Sequence, residues 1–153
     1  MSVVAGDLDL LADPLAVELL GSRLPARLAY LWTDETPRVV PVWFHWTGSA
    51  LVIGSPARAP KLDALERHPE VAVTIDSDAW PYRVLSVRGT AVVTRLDDVV
   101  PEYAAAAERY LGPDAGQAWV ASLRGQPMGR VEITPRWANL LDFEHRFPSA
   151  LSA

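Results

Sequence analysis

The segment from Arg38 to Asp76 constrains the fold more than any other part of the chain. It reads as a strand (Val39 to Trp46), a tight turn at Thr47-Gly48-Ser49, a second strand (Leu51 to Ser55) and a short basic loop. A short helix (Lys61 to His68) follows, stopped by Pro69, and then a third strand, Val71 to Asp76. In that last strand Val71, Val73 and Ile75 alternate with Ala72, Thr74 and Asp76, the period-2 pattern of a sheet with one buried face. So short a turn between the first two strands requires an antiparallel return. Arg58 and Lys61 fall in the loop and first turn of the helix, where the macrodipole is positive and a cation is out of place. An anion such as a phosphate docking beside Ser55 at that helix start accounts for both cations.

The rest of the chain extends the same scheme. Asp13 and Pro14 ahead of Leu15, Val17, Leu19 and Leu20 are an N-cap and an N1 proline, and Gly21 ends that helix. Arg27 to Thr33 is a strand, and the polar turn Asp34 to Pro37 folds it back onto the next. Arg83 to Thr94 is the longest strand, with Leu85, Val87, Gly89, Ala91 and Val93 on one side. Asp97 to Gly112 is the clearest helix, since Tyr103, Ala106, Ala107 and Tyr110 fall at i, i+3, i+4 and i+7. Ala115 to Leu123 is a further short helix. Met128 to Thr134 and Trp137 to Phe143 read as two closing strands joined at Pro135. Roughly seven strands joined by short antiparallel turns predict a mainly β fold, a small barrel with helices at its edge.

One domain is expected over residues 1–153, with a helical segment over 1–23 and the barrel over 24–147. Half of the residues are hydrophobic, 22% are charged and the net charge is −5. With no basic run, nucleic-acid and anionic-membrane binding are not expected. The absence of cysteine excludes disulfides, thiolate chemistry and sulfur-based zinc sites. Met1 to Asp9 lacks a basic n-region and an apolar h-region, and no apolar run approaches the ~20 residues of a membrane span, so a cytoplasmic protein is expected.

With the elements placed, an ordered set of segments resembles the flavin and deazaflavin oxidoreductases of the split β-barrel fold, the pyridoxamine 5′-phosphate oxidase superfamily. The segments are Pro37 to Phe44, Leu51 to Ser55, Pro60-Lys61-Leu62-Asp63-Ala64-Leu65-Glu66-Arg67-His68-Pro69, Val71 to Asp76 and Val84 to Gly89. The closing Trp137-Ala-Asn-Leu-Leu-Asp-Phe-Glu resembles the family's last strand. The resemblance runs from about Leu24 to Phe147. It implies that the backbone of Val40, Pro41, Val42 and Trp43 lies against a flavin ring, that Ser55 and Lys61 take its phosphate, and that two subunits form an obligate homodimer. Two departures from the oxidase itself stand out: Ala59-Pro60-Lys61 replaces Ser-Arg-Lys, and Val39 stands where an arginine is usual. One phosphate contact then moves to Arg58, and the chain is more similar to short members that bind FMN or the deazaflavin coenzyme F420. The activity implied is hydride transfer to or from a small organic substrate.

Other groups leave alternatives open. Arg83 either pairs with Asp76 or Asp78 or reaches the polar edge of the cofactor. Trp43 and Trp46 fall on opposite faces of one strand, and a ring stacking near the cofactor competes with simple core packing. His45, His68 and His145 lack metal-ligand spacing, so no metal site is expected; His68 suits a helix C-terminus. A second class of function is a non-catalytic module that sequesters a flavin, a deazaflavin or heme, with His45 as the candidate axial ligand. No Gly-x-Ser-x-Gly elbow supports hydrolase chemistry. Six tryptophans (Trp32, Trp43, Trp46, Trp80, Trp119, Trp137) in so small a domain suggest that some are buried against a partner chain.

Overall fold

A computed structural model describes residues 4–146. A 3-10 turn, Leu8–Ala12, leads into helix α1 (Pro14–Leu20), then strands β1 (Ala26–Leu31), β2 (Pro37–Val42), β3 (His45–Trp46) and β4 (Leu51–Pro56). Helix α2 (Pro60–Arg67) is followed by β5 (Glu70–Asp76) and β6 (Arg83–Leu96), and helices α3 (Pro101–Leu111) and α4 (Pro113–Leu123) precede β7 (Met128–Asp142). Asp13 caps α1 through its side chain, accepting from the Leu15 amide at 2.9 Å, with Pro14 at the first helical position.

The seven strands form one antiparallel sheet in the order β2-β1-β5-β6-β7-β4-β3. Its two edge strands, β2 and β3, are joined by Trp43 and Phe44 alone. Three Cα steps span at most about 11 Å, whereas seven flat strands at ~4.8 Å spacing would put the edges roughly 29 Å apart. The sheet therefore curls until its edges nearly meet, and the covalent link closes it into a barrel. Along the inner face Val40, Leu28, Val73, Val87 and Ala138 form one cross-strand row. Leu62, Ala64 and Leu65 of α2 and Ala16, Leu19 and Leu20 of α1 join the same core. A second, smaller cluster, with Val52, Val100, Ala107 and Val120, fixes α3 and α4 to the outside.

Three boundaries differ from the sequence reading. The strand expected over Val39 to Trp46 is broken at Trp43–Phe44, where the chain crosses from one sheet edge to the other. The two expected closing strands are one, β7, because Pro135 sits at a bulge. Arg88 pairs with Trp137 and Gly89 with Pro135, so Arg136 is the extra residue and the missing proline N–H disturbs little of the ladder. The third helix starts at Pro101 rather than Asp97. Asp98 instead accepts from the amides of Val99 and Gly125, at 2.7 and 2.9 Å, and ties two loops together.

The bulge leaves no room for a side chain at Gly89, where a Cβ would lie 2.3 Å from the Thr134 carbonyl oxygen. Backbone on both sides must move to admit it. Gly89→Ala is expected to cost about 3 kcal/mol or more in urea unfolding; a loss under ~1 kcal/mol would mean that the bulge adjusts freely.

Most of the tryptophan surplus is used within the subunit. Trp43 stacks on Tyr110 with centroids 5.1 Å apart, Trp46 packs on the main core, and Trp32 and Trp137 lie beneath the guanidinium groups of Arg38 and Arg88. Of the six, only Trp80 and Trp119 are exposed.

Candidate functional site

The barrel is split between β2 and the end of β4. Carried past His45, the β3–β4 register (His45 with Val52, Trp46 with Leu51) would set Val42 beside Ser55; instead the strands part. One lip of the split is the edge of β2, which among the described residues pairs only with β1 and leaves its other side without a strand partner. Val40 and Val42 turn toward the core and Pro41 outward, so Val40, Pro41, Val42 and Trp43 offer the split mainly backbone. The other lip is the end of β4, continuing through Arg58 to α2.

Gly129 brings Ser55 and the start of α2 together. It is the β7 partner of Ser55, and a Cβ there would lie 2.4 Å from Leu62 Cδ1 in the first turn of α2. The absent side chain lets the helix settle on the strand beside Ser55. The outer face of α2 is tied to the far end of β6 by Arg95, which pairs with Asp63 at 3.0 Å and with Glu66. These pairs fix the helix start that carries Lys61.

Three features of this corner are unsatisfied among the described residues. The Ser55 hydroxyl oxygen is buried with no hydrogen-bond partner, and such a group costs about 1–3 kcal/mol unless something binds it. The α2 N-cap is Ala59, which supplies no side-chain cap to the first amides. Lys61 is half-buried, and desolvation by burial pushes its pKa below the usual lysine value, with no carboxylate among the described residues paired to it. Arg58 stands exposed on the loop before the helix. A buried hydroxyl, the Lys61 amide at a helix start without a side-chain cap and the half-buried Lys61 cation in one corner match the donor set for a phosphate or similar anion.

The remaining groups lie elsewhere. Arg83 opens β6, twelve residues from the Arg95 end that holds α2, or roughly 40 Å of strand contour. It pairs with Glu18 at 3.2 Å rather than with Asp76 or Asp78, since Asp76 is taken by Arg27 at 2.9 Å. Arg83 is thus not brought to Ser55 and Lys61 within one subunit. His45 shares a cross-strand row with Val52 and Glu132, on the side where α3 packs. Burial and then the nearby Arg109 charge lower its pKa, while Glu102 works the other way. Glu102 is itself held below the usual carboxylate range, chiefly by hydrogen bonds from Arg130. His68 caps the end of α2, its amide donating to the Ala64 carbonyl at 2.8 Å.

Sequence reasoning did not single out Arg109. Its guanidinium donates to the carbonyl oxygens of Ser22 and Phe44 and lies over the rings of Phe44 and Tyr110. It therefore pins the Trp43–Phe44 link that closes the barrel, and no local pattern announces a partner 65 residues away. Asp142, Glu144 and His145 approach within 4.8 Å of one another in the turn after β7. Asp142 is occupied there in accepting from the Glu144 amide.

By fold the chain is a split β-barrel, the fold of the pyridoxamine 5′-phosphate oxidase-like proteins that its sequence resembles. Among solved structures it is similar to a protein named F420 reductase, with 25% identity over 79% of this chain and 93% of that one, and a TM-score of 0.62. A conserved hypothetical protein from Mycobacterium tuberculosis matches over 100% of this chain and 98% of its own, at 21% identity and a TM-score of 0.67. The heme storage protein HutZ from Vibrio cholerae shares the fold at 15% identity over 85% of this chain and 93% of its own, with a TM-score of 0.61. No family model and no curated protein matches the sequence.

Proposed function

We propose that this protein is a cytoplasmic, homodimeric oxidoreductase that holds FMN or F420 non-covalently in the split of the barrel and exchanges a hydride with a small organic substrate. The observation that carries this reading is the orphaned Ser55 hydroxyl beside an uncapped helix start and a carboxylate-free Lys61, across from an unpaired strand edge. A planar cofactor with hydrogen-bonding edges and a phosphate is complementary to both lips at once. The likeness to a protein named F420 reductase supports the same class of ligand.

When bound, the flavin or deazaflavin ring supplies the hydride chemistry. The chain's part is to bind and orient. The Lys61 ammonium and the Lys61 amide would hold the phosphate, with Arg58 as an outer contact and Ser55 donating its hydroxyl proton. The backbone from Val40 to Trp43 fixes the ring edge, while the barrel wall keeps water from one face. Trp43, already stacked on Tyr110, braces the link rather than the cofactor. Arg83, engaged by Glu18, stays outside the phosphate cradle of its own subunit.

Equilibrium titration of the purified chain with FMN, F420 and hemin tests this, followed by NADPH or reduced deazaflavin. Saturable binding of FMN or F420, one per chain, with bleaching or recovery of the cofactor band on adding the second reactant, is expected. A Soret band at stoichiometric hemin with no flavin binding would replace the reading by heme sequestration and reopen the question of His45.

A further inference from the structure

On the side of β4 away from the barrel core, the α3–α4 hairpin encloses a separate cavity of about 310 Å³ against the ends of β4 and β7. Its walls are the rings of Tyr103 and Trp119, the side chains of Leu123 and Met128, and Pro56, with Gln126 at the rim. Tyr103 lies directly on the Gly54 backbone, 2.8 Å from where a Cβ would stand. Its hydroxyl accepts from the Trp119 indole N–H at 2.9 Å. That bond satisfies the indole, so Trp119 presents ring surface to the cavity, and it remains 43% exposed. The wall is preformed. The backbones of α3 and α4 touch where a Cβ at Gly116 would lie 2.6 Å from Glu108 Cα, and the Tyr103 ring continues an aromatic run with Trp43 at 5.7 Å.

The chemistry of the lining selects the occupant. Among the described residues no cationic or anionic side chain lines the cavity, so a phosphate or carboxylate would lose its hydration without a partner. Two aromatic walls favour a flat ring through offset or edge-to-face packing over an aliphatic one. The volume sits at the lower end of the ~300–1,000 Å³ typical of small-molecule pockets, which limits the ligand to one or two fused rings. We propose that this cavity binds a flat aromatic molecule bearing a single hydrogen-bonding group, the ring against Trp119 and Tyr103 and the polar group toward Gln126. The inference stands apart from the cofactor reading, although Pro56 borders both the cavity and the loop that carries Arg58.

Calorimetric titration with 2-naphthol is the test, with decahydro-2-naphthol as an aliphatic match of the same outline. Saturable 2-naphthol binding, one per chain, is expected with Kd on the order of 10–100 μM, a modest efficiency for a ligand of this size. Leu123→Phe, which narrows the cavity, and Trp119→Ala, which removes a wall, should each weaken it about tenfold or more. The aliphatic match should bind about three- to tenfold more weakly than 2-naphthol. FMN affinity of both variants should stay at the wild-type value, so that failure here is distinguishable from failure of the cofactor reading. If Trp119→Ala does not fold by circular dichroism, Leu123→Phe alone decides. Absence of saturable binding, equal affinity for the two probes, or wild-type affinity in the folded variants would overturn the proposal.

Discussion

Lys61→Met is expected to weaken FMN and F420 binding by about 10- to 150-fold, the equivalent of one charge-assisted contact of ~1.5–3 kcal/mol, while leaving the unliganded protein as stable as the wild type or more so. Burial depresses the Lys61 pKa and no carboxylate offsets it. The charged form is therefore disfavoured in the folded chain relative to the unfolded one. The sign follows from linkage. Below the depressed folded pKa both states carry the proton and the native state bears the full desolvation cost. That cost fades as pH rises toward 10.5, the unfolded value. Thermal unfolding at pH 7 should show the apo Lys61→Met variant at or above the wild-type Tm, with the gap closing toward pH 10. Cofactor binding by the wild type should weaken at high pH as the ammonium is lost, and the variant should not share that decline. Arg58→Ala, an exposed contact, should lose less affinity than Lys61→Met. Unchanged affinity for both cofactors in Lys61→Met would remove the phosphate assignment.

A symmetric dimer that persists at low micromolar concentration is the second expected result, and Val39→Glu with Ala72→Glu is expected to convert it to a 16.7 kDa monomer. The outer face of β2, β1 and β5 carries the row Val39, Ala29, Ala72, continued by Arg88 on β6. Val39, Ala29 and Ala72 are small or apolar, with Arg88, Glu70 and the Arg27–Asp76 pair around them; shallow grooves lie on both sides of the row, and Val39 is 68% exposed. A self-complementary face of this kind would bury more than ~2,000 Å² in total in an obligate dimer. Because each split is open on one side in the single subunit, the double variant should also bind FMN more weakly, with its secondary structure retained by circular dichroism. Sedimentation of the wild type as a monomer would remove both the interface and the shared cleft.

Much of the architecture was legible because local chemistry and tertiary need coincide. Alternating apolar residues in β5, the Pro14 and Pro69 boundaries and the four-residue spacing in α3 each specify the element that forms. The strand count of seven also agrees with the sequence reading, but through two compensating differences. The crossing at Trp43–Phe44 divides one expected strand, and the bulge at Arg136 unites two others. Neither carries a local signal. Trp43 and Phe44 have ordinary strand propensity, and they leave the ladder because the curled sheet must be closed there. Pro135 would end a regular strand, yet a bulge opposite Gly89 accommodates it. The start of α3 was misplaced because Asp97 and Asp98 are good capping residues, and Asp98 is spent instead on the amides of Val99 and Gly125.

The sequence alone determined most of the helices and strands, the antiparallel class and the position of Lys61 at a helix start, since these follow from periodicity, proline stops and short turns acting over a few residues. Tertiary structure decided which groups were left unsatisfied. The burial of Ser55 depends on Gly129 admitting α2, the engagement of Arg83 depends on Glu18 65 residues away, and the cavity beside Trp119 depends on how closely α4 packs on α3. Each is a contact between distant segments. Its energy exists only once the barrel has closed, so no window of sequence could contain it.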